Sequence, residues 1–256
     1  MIAAAESETP DPVAIQVAEE IDTALIALSD PDRAKGTRAY LHSDLNHYGV
    51  PVPEVRRVVR AAGKARPALT HADLVAVTRT LWTPTVHDTR LAACLWLEAH
   101  TDRLTLDDTA LLAELVGESG TWALVDVLSG SVAARLLLRE PRTEAVYRAW
   151  AAQDEMWLRR SGILAFMLGV RSADTFPRWF PVLGEIAEPL LDDTRFFVRK
   201  ALGWVLREAS KKHPDAVLAW TAAHVDRISG LTLREALKRV PEERKAPVLH
   251  AYRERA

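Results

Sequence analysis

The sequence predicts an all-α fold, a superhelical solenoid of short stacked helix pairs, and three observations support this. Apolar residues recur at helical spacing along almost the whole chain, and no stretch holds a convincing alternation of period two. No Asn-Gly or Asp-Gly pair offers a hairpin turn. Two blocks forty residues apart are alike: Trp157-Leu158-Arg159-Arg160-Ser161 and Phe197-Val198-Arg199-Lys200-Ala201. Each follows acids (Asp154 and Glu155; Asp192 and Asp193) and opens an apolar helix, and Asp88-Thr89-Arg90-Leu91-Ala92-Ala93 is a weaker copy. Helix pairs with a period near 40 mark HEAT-like solenoids, whose stacked pairs share one core and curve about a concave face.

Taken in order, the elements follow from spacing and punctuation. Residues 1–12 are rich in Ala, acids and Pro and are expected to be disordered, with residues 13–256 forming one domain. Val13, Val17, Ile21 and Leu25 step by four. Asp30-Pro31-Asp32 reads as a turn. Pro51 and Pro53 separate the segment around Tyr40 from a helix running from Glu54 to Lys64, with Pro53 where a helix start tolerates proline. Leu74, Val77 and Leu81 give the next stripe. Ser119-Gly120-Thr121 reads as a helix start, and Glu140-Pro141, Phe176-Pro177 and His213-Pro214 mark further joints. Val198, Ala201, Leu202 and Val205 form an i, i+3, i+4, i+7 stripe. Helices of about 12 to 18 residues are expected.

Composition narrows the function. The chain has 256 residues, 48% hydrophobic and 27% charged, an ordinary globular balance. Cys94 is the only cysteine, so no internal disulfide or thiolate metal cage can form, which fits a reducing compartment. The longest apolar run, Gly162 to Val170, is too short to span a membrane. No basic region precedes an apolar one at the N-terminus, so a soluble cytoplasmic protein is expected. The net charge of −2 hides an asymmetry. Eight of the 35 acids lie in residues 1–32, which hold no Lys or Arg, so the 33 bases face 27 acids in the rest. A body of about +6 permits a polyanionic partner, and solvated helix faces would account for it equally well.

Several chemistries have no motif here. The sequence holds no Gly-rich phosphate cradle, no His-Glu-x-x-His and no Gly-x-Ser-x-Gly elbow. His42 and His47 are five apart and do not share a helix face, so no metal site is expected. An enzyme on this chain must work with carboxylates and aromatics, which suits a transition state carrying positive charge. Of eight tryptophans, Trp82, Trp96, Trp150, Trp157, Trp179 and Trp220 each fit an apolar stripe and read as core. Trp122 and Asp126 stand four apart, which on a helix puts indole and carboxylate on one face. Such a pair is usually a core Trp beside a solvated acid. Trp204 follows Gly203, which opens room beside its helix.

The run Phe196-Phe197-Val198-Arg199-Lys200-Ala201-Leu202-Gly203-Trp204-Val205-Leu206-Arg207-Glu208 closely resembles the hallmark helix of the AlkD-like DNA alkylation repair glycosylases. Met156 to Leu164 is similar to a second motif of that family. Tyr40 to Arg57, with Tyr48-Gly49-Val50-Pro51, resembles its N-terminal motif, and Leu231 to Ala236 its C-terminal one. The resemblance runs in order from about Ala34 to Val240. It implies a HEAT-like solenoid that wraps duplex DNA, acts as a monomer, and excises 3- and 7-alkylated purines in base excision repair without metal or cofactor. It further implies that the lesion is not flipped out of the duplex. On this resemblance the catalytic Asp falls on Asp126, the active-site tryptophans on Trp122 and Trp204, a cleft tyrosine on Tyr40, a phosphate-contacting arginine on Arg160 and a cleft aromatic on Phe197. Thr121 and Ala123 depart from the pattern, which often has a second Trp and a second acid there.

Those residue types suit the chemistry. An N-alkylated purine is cationic, and breaking its glycosidic bond moves positive charge onto the sugar. An anion at Asp126 stabilises that charge where it develops. Indole faces at Trp122 and Trp204 favour a charged nucleotide over a neutral one. Arg159, Arg160, Arg199 and Lys200 are expected to neutralise phosphates. A non-enzymatic HEAT-like scaffold and a DNA-structure-binding relative without glycosylase activity are the rival readings.

Overall fold

Caps and prolines set where several of the helices begin, and they cut the chain into shorter pieces than spacing alone suggests. A computed structural model describes residues 12–255. The expected disorder of the N-terminal segment lies outside those residues, except that Pro12 already opens a helix. Packing divides the chain into two compact units, one through Leu104 and one from Thr105. Among the described residues there is no strand, only an isolated parallel bridge between Asn46 and Val86. No helix is long and apolar enough to cross a membrane.

The first unit holds α1 (Pro12–Ile26), α2 (Pro31–Leu41), α3 (Val52–Lys64), α4 (His71–Trp82) and α5 (His87–Ala99). Asp30-Pro31 is a helix start rather than a plain turn. The Asp30 carboxylate accepts from the backbone N–H of Asp32 and Arg33 at 3.1 and 2.9 Å, and Pro31 takes the first helical position. Pro53 sits in the first turn of α3 as expected. Thr70 and Asp73 form a reciprocal capping box on α4. The unit is held by α1 packed on α3, α4 and α5. Val17, Ile21 and Leu25 of the predicted stripe are buried, whereas Val13 is exposed at the first turn.

The second unit holds α6 (Thr109–Gly117), α7 (Trp122–Val127), α8 (Ala134–Arg139), α9 (Glu144–Ala151), α10 (Met156–Leu164), α11 (Met167–Arg171) and α12 (Phe176–Ala187). It continues with α13 (Phe196–Ser210), α14 (Pro214–Ala223), α15 (Gly230–Ala236) and α16 (Glu242–Glu254). A π-helical segment, Leu128–Ala133, joins α7 to α8. One row of neighbours runs through α7, α10, α13 and α15, each packed on the next, while α9 backs α10 and α14 backs α13. This is the stacking of a solenoid, and it explains the sequence repeat: the two like blocks open α10 and α13, adjacent members of that row. Helices run from 5 to 15 residues, shorter than expected, because short 3-10 segments and prolines interrupt them.

The row packs closely at Gly162. A Cβ there would lie 2.4 Å from the Ala151 nitrogen and 2.6 Å from the Tyr147 oxygen, backbone atoms of α9 that cannot swing away. Gly36 in α2 has nothing within 4 Å. Gly162→Ala is therefore expected to cost about 1–3 kcal/mol in a urea titration. Gly36→Ala, which removes only chain entropy and a weak helix former, is expected to gain about 0.4–1 kcal/mol.

Candidate active site

Thr121 ends a turn at Gly120 (φ +63°) and caps α7, its hydroxyl accepting from the Ala123 N–H at 3.4 Å. The residue that departs from the family pattern thus has a local task, since Thr is a good N-cap. The cap launches a helix of under two turns that carries Trp122 and Asp126 on one face, both half-buried. Immediately beyond, the chain widens into the π-helical segment. There Ser129 bonds back to the Val125 oxygen at 2.7 Å and across to Ser161 of α10 at 2.6 Å. π-Segments often mark functional sites. This one fixes the register of Asp126, three residues before Ser129, against Arg160, which immediately precedes Ser161.

Asp126 and Arg160 form the centre of the row. Arg160 donates from Nε to Asp126 Oδ1 at 2.9 Å, and its Nη2 is ion-paired with the same oxygen at 2.8 Å. Its Nη1 donates to the Phe197 oxygen of α13 at 2.7 Å. The Arg160 side chain is 3% exposed and that of Asp126 15%. Burial pushes the Asp126 carboxyl above the ordinary carboxylate range, and the charge and hydrogen bonds of Arg160, then the Lys200 ammonium, pull it back. One arginine thus ties α7, α10 and α13 together around a partly desolvated anion.

Aromatic side chains surround this pair on α10 and α13. Arg160 lies 5.8 Å from the Phe197 ring centroid, and Trp157 packs on Phe197 at 5.0 Å. Phe196 is 53% exposed beside Lys200, whose ammonium stands 5.4 Å from its ring. Phe197, Lys200 and Trp204 fall at i, i+3 and i+7 of α13, so they share one stripe of that helix. Trp204 is half-buried on it. Gly203 serves packing rather than open space: a Cβ there would meet Glu235 Cβ at 2.6 Å and the Thr232 oxygen at 2.8 Å, so α15 closes on α13.

The basic residues divide by partner. Arg159 donates to Asp193 at 2.9 Å and to Asp154 and two backbone carbonyls. Asp193 is 3% exposed, and Arg195 and Arg159 hold its carboxyl well below the usual range. Its contribution to stability is present above the unfolded-state pKa and is lost as pH falls below it. Arg199 donates to the Asp193 oxygen at 2.6 Å. Arg159, Arg160 and Arg199 each have intramolecular partners, and Lys200 is the exposed cation of the set. Tyr40 belongs to the first unit, near the end of α2, and is 71% exposed. Trp82, Trp96, Trp150 and Trp179 are core as expected, whereas Trp157 and Trp220 are half-buried. The pairing of Ser129 with Ser161, and of Asp193 with Arg159 and Arg195, was not read from the sequence; the Ser129-Gly130-Ser131 interruption of an apolar run was the signal available for the first.

Removing the acid alone should strand a buried guanidinium. Asp126→Ala is expected to lower stability by about 3–5 kcal/mol. The Asp126→Ala/Arg160→Met double variant should lose less than the sum of the singles, by about 0.5–3 kcal/mol. Additive losses in denaturant titrations would mean the pair is not coupled.

A family model described as "DNA alkylation repair enzyme" matches residues 21–240. No curated protein matches the chain. Among solved structures, a predicted DNA alkylation repair enzyme from Enterococcus faecalis superposes with a TM-score of 0.73 at 20% identity, covering 84% of this chain and 97% of that one. AlkD2 from Streptococcus mutans gives 0.59 at 15% identity over 74% and 90%. The Pseudomonas fluorescens alkylpurine DNA glycosylase AlkC, bound to DNA containing an abasic site analogue, gives 0.51 at 18% identity over 93% and 65%. At these identities the likeness is one of fold.

Proposed function

Because the chain belongs to the DNA alkylation repair enzyme family, we propose that it is a DNA N-glycosylase that excises cationic 3- and 7-alkylated purines from duplex DNA. The observation that carries this reading is the Asp126–Arg160 pair, with Trp122 one turn before the acid and Trp204 on the α13 stripe that also carries Lys200. The lesion leaves with the electrons of its glycosidic bond and becomes a neutral base. The sugar is left as an oxocarbenium ion, and water adds to its anomeric carbon, losing a proton to leave an abasic site. Asp126 stabilises the oxocarbenium and orients the water through Oδ2, with Arg160 on Oδ1. Trp122 and Trp204 flank the cationic nucleotide. In this reading the sugar is approached from the backbone side, and the lesion stays stacked in the duplex.

The test is release of 7-methylguanine from methylated duplex DNA under single-turnover conditions. Asp126→Asn keeps an acceptor for Arg160 and should slow release by at least about 100-fold, leaving DNA affinity within a few-fold. Trp122→Ala and Trp204→Ala should each cost about tenfold. The rate should fall with acidity through a pKa above that of an ordinary Asp, since protonation removes the anion. DNA binding without release by the wild type would favour a binding relative without glycosylase activity.

Phosphate contact is assigned to Lys200, the cation left exposed. Lys200→Ala should weaken binding to any duplex sequence and reduce the slope of log affinity against log salt by about one. An unchanged slope would place the contact elsewhere.

A further inference from the structure

We propose that His47, His87 and Asp88, in the first unit, form a binding site for a divalent transition-metal cation of the zinc class, clamping the segment between α2 and α3 onto the start of α5. One ligand atom from each residue lies within 4.8 Å of the others. His87 and Asp88 open α5 and are 6% and 2% exposed. His47 comes from the connection between α2 and α3, forty positions earlier. The rings of His47 and His87 stack at 4.6 Å with 9° between their planes.

Both nitrogens of His47 and Nε2 of His87 are buried with no hydrogen-bond partner in the protein. Buried polar atoms nearly always have a partner; a neutral imidazole carries one N–H and one lone pair, so each of the two rings can offer one lone pair to a cation at this spot. Burial favours the neutral form of both rings. Two imidazoles and a carboxylate are a donor set that suits zinc, with water completing a tetrahedron.

The surroundings hold the Asp88 side chain and the backbone around His47 in place, leaving the rings to turn. Asp88 accepts the Tyr48 N–H on Oδ2 and the Val50 N–H on Oδ1, both at 2.8 Å, which leaves each oxygen a further lone pair. Hydrogen bonds of this kind orient ligating carboxylates. Asn46 pairs with the chain before α5 through Asn46 N to Thr85 O at 2.9 Å and His87 N to Asn46 O at 2.8 Å. His47 thus lies between the backbone ties of Asn46 and the Tyr48 N–H bond to Asp88. Ligands on a tetrahedral zinc stand about 3.3 Å apart for bonds of about 2.0–2.1 Å. Metal binding therefore has to draw the donors together and open the ring stack into a V, by rotation at χ1 and χ2. Sequence spacing along one helix does not show the site, because a loop and a helix start assemble it.

This inference is independent of the proposed glycosylase activity. The test uses the full chain, stripped with chelator and titrated with Zn2+ near neutral pH by calorimetry and equilibrium dialysis. One equivalent should bind with a low-micromolar or tighter Kd and raise the melting temperature. His47→Phe and His87→Phe keep a stacked ring and remove the ligand. Each should weaken binding by at least about 100-fold, at the upper end of or beyond what loss of a supporting contact causes, and abolish the thermal shift. Co2+ added to the wild type should give ligand-field bands in the visible, a readout that does not need the variants to fold. Absence of those bands, or zinc binding equal in wild type and variants, would overturn the proposal and leave the pair as a neutral stack.

Discussion

A buried guanidinium holding a partly desolvated carboxylate is the interaction on which the second unit's arrangement depends. Arg160 spends Nε and Nη2 on Asp126 and Nη1 on the backbone oxygen of Phe197. These contacts reach two different helices, α7 and α13. Removing either charge leaves the other stranded, a worse situation than never having buried the pair. The pair is therefore a poor source of net stability and a strong source of specificity: only one register of α7, α10 and α13 satisfies it.

The neighbours make that register cheap to reach. The Ser129–Ser161 bond sets the depth of the π-segment against α10. Gly162 lets α9 approach from behind, and Gly203 lets α15 close on α13. At the open ends of α10 and α13, Asp193 gathers Arg159 and Arg195. Basic residues that look like a phosphate-binding row in one dimension are thus divided by their partners in three. Those facing Asp193 and Asp126 build the scaffold, and Lys200 is left to face solvent.

The all-α character was legible because hydrophobic spacing reports directly which face of a helix is buried, as Val198, Ala201, Leu202 and Val205 show by being buried together. The forty-residue repeat was legible for the same reason: Trp157 and Phe197 occupy equivalent positions on stacked helices and touch each other. Helix lengths were less legible, since spacing persists across a 3-10 turn or a π-segment that leaves the apolar pattern intact. Trp122 and Asp126 were found because four residues is one helical turn. The burial of Arg160 could not be read, because a buried arginine and an exposed one look identical in sequence until the acid on the neighbouring helix is located. His47 and His87 escaped for the related reason that their meeting is a tertiary event.

One tension in the proposed chemistry has to be resolved by magnitude. An acid meant to steady a developing cation is already paired with a cation, so the pair carries no net charge. Distance breaks the tie. Both Arg160 contacts fall on Oδ1, and a sugar approaching Oδ2 meets the carboxylate first. With the anion at roughly 3 Å and the guanidinium at roughly 6 Å, an effective dielectric near 20 gives an attraction of about 5.5 kcal/mol against a repulsion of about 2.8. The difference, on the order of 3 kcal/mol, is worth about a hundredfold in rate. Without Arg160, burial would push Asp126 further toward its neutral form, and the larger attraction would belong to an anion that is seldom present. The arginine thus gives up part of the field in order to keep the carboxylate charged.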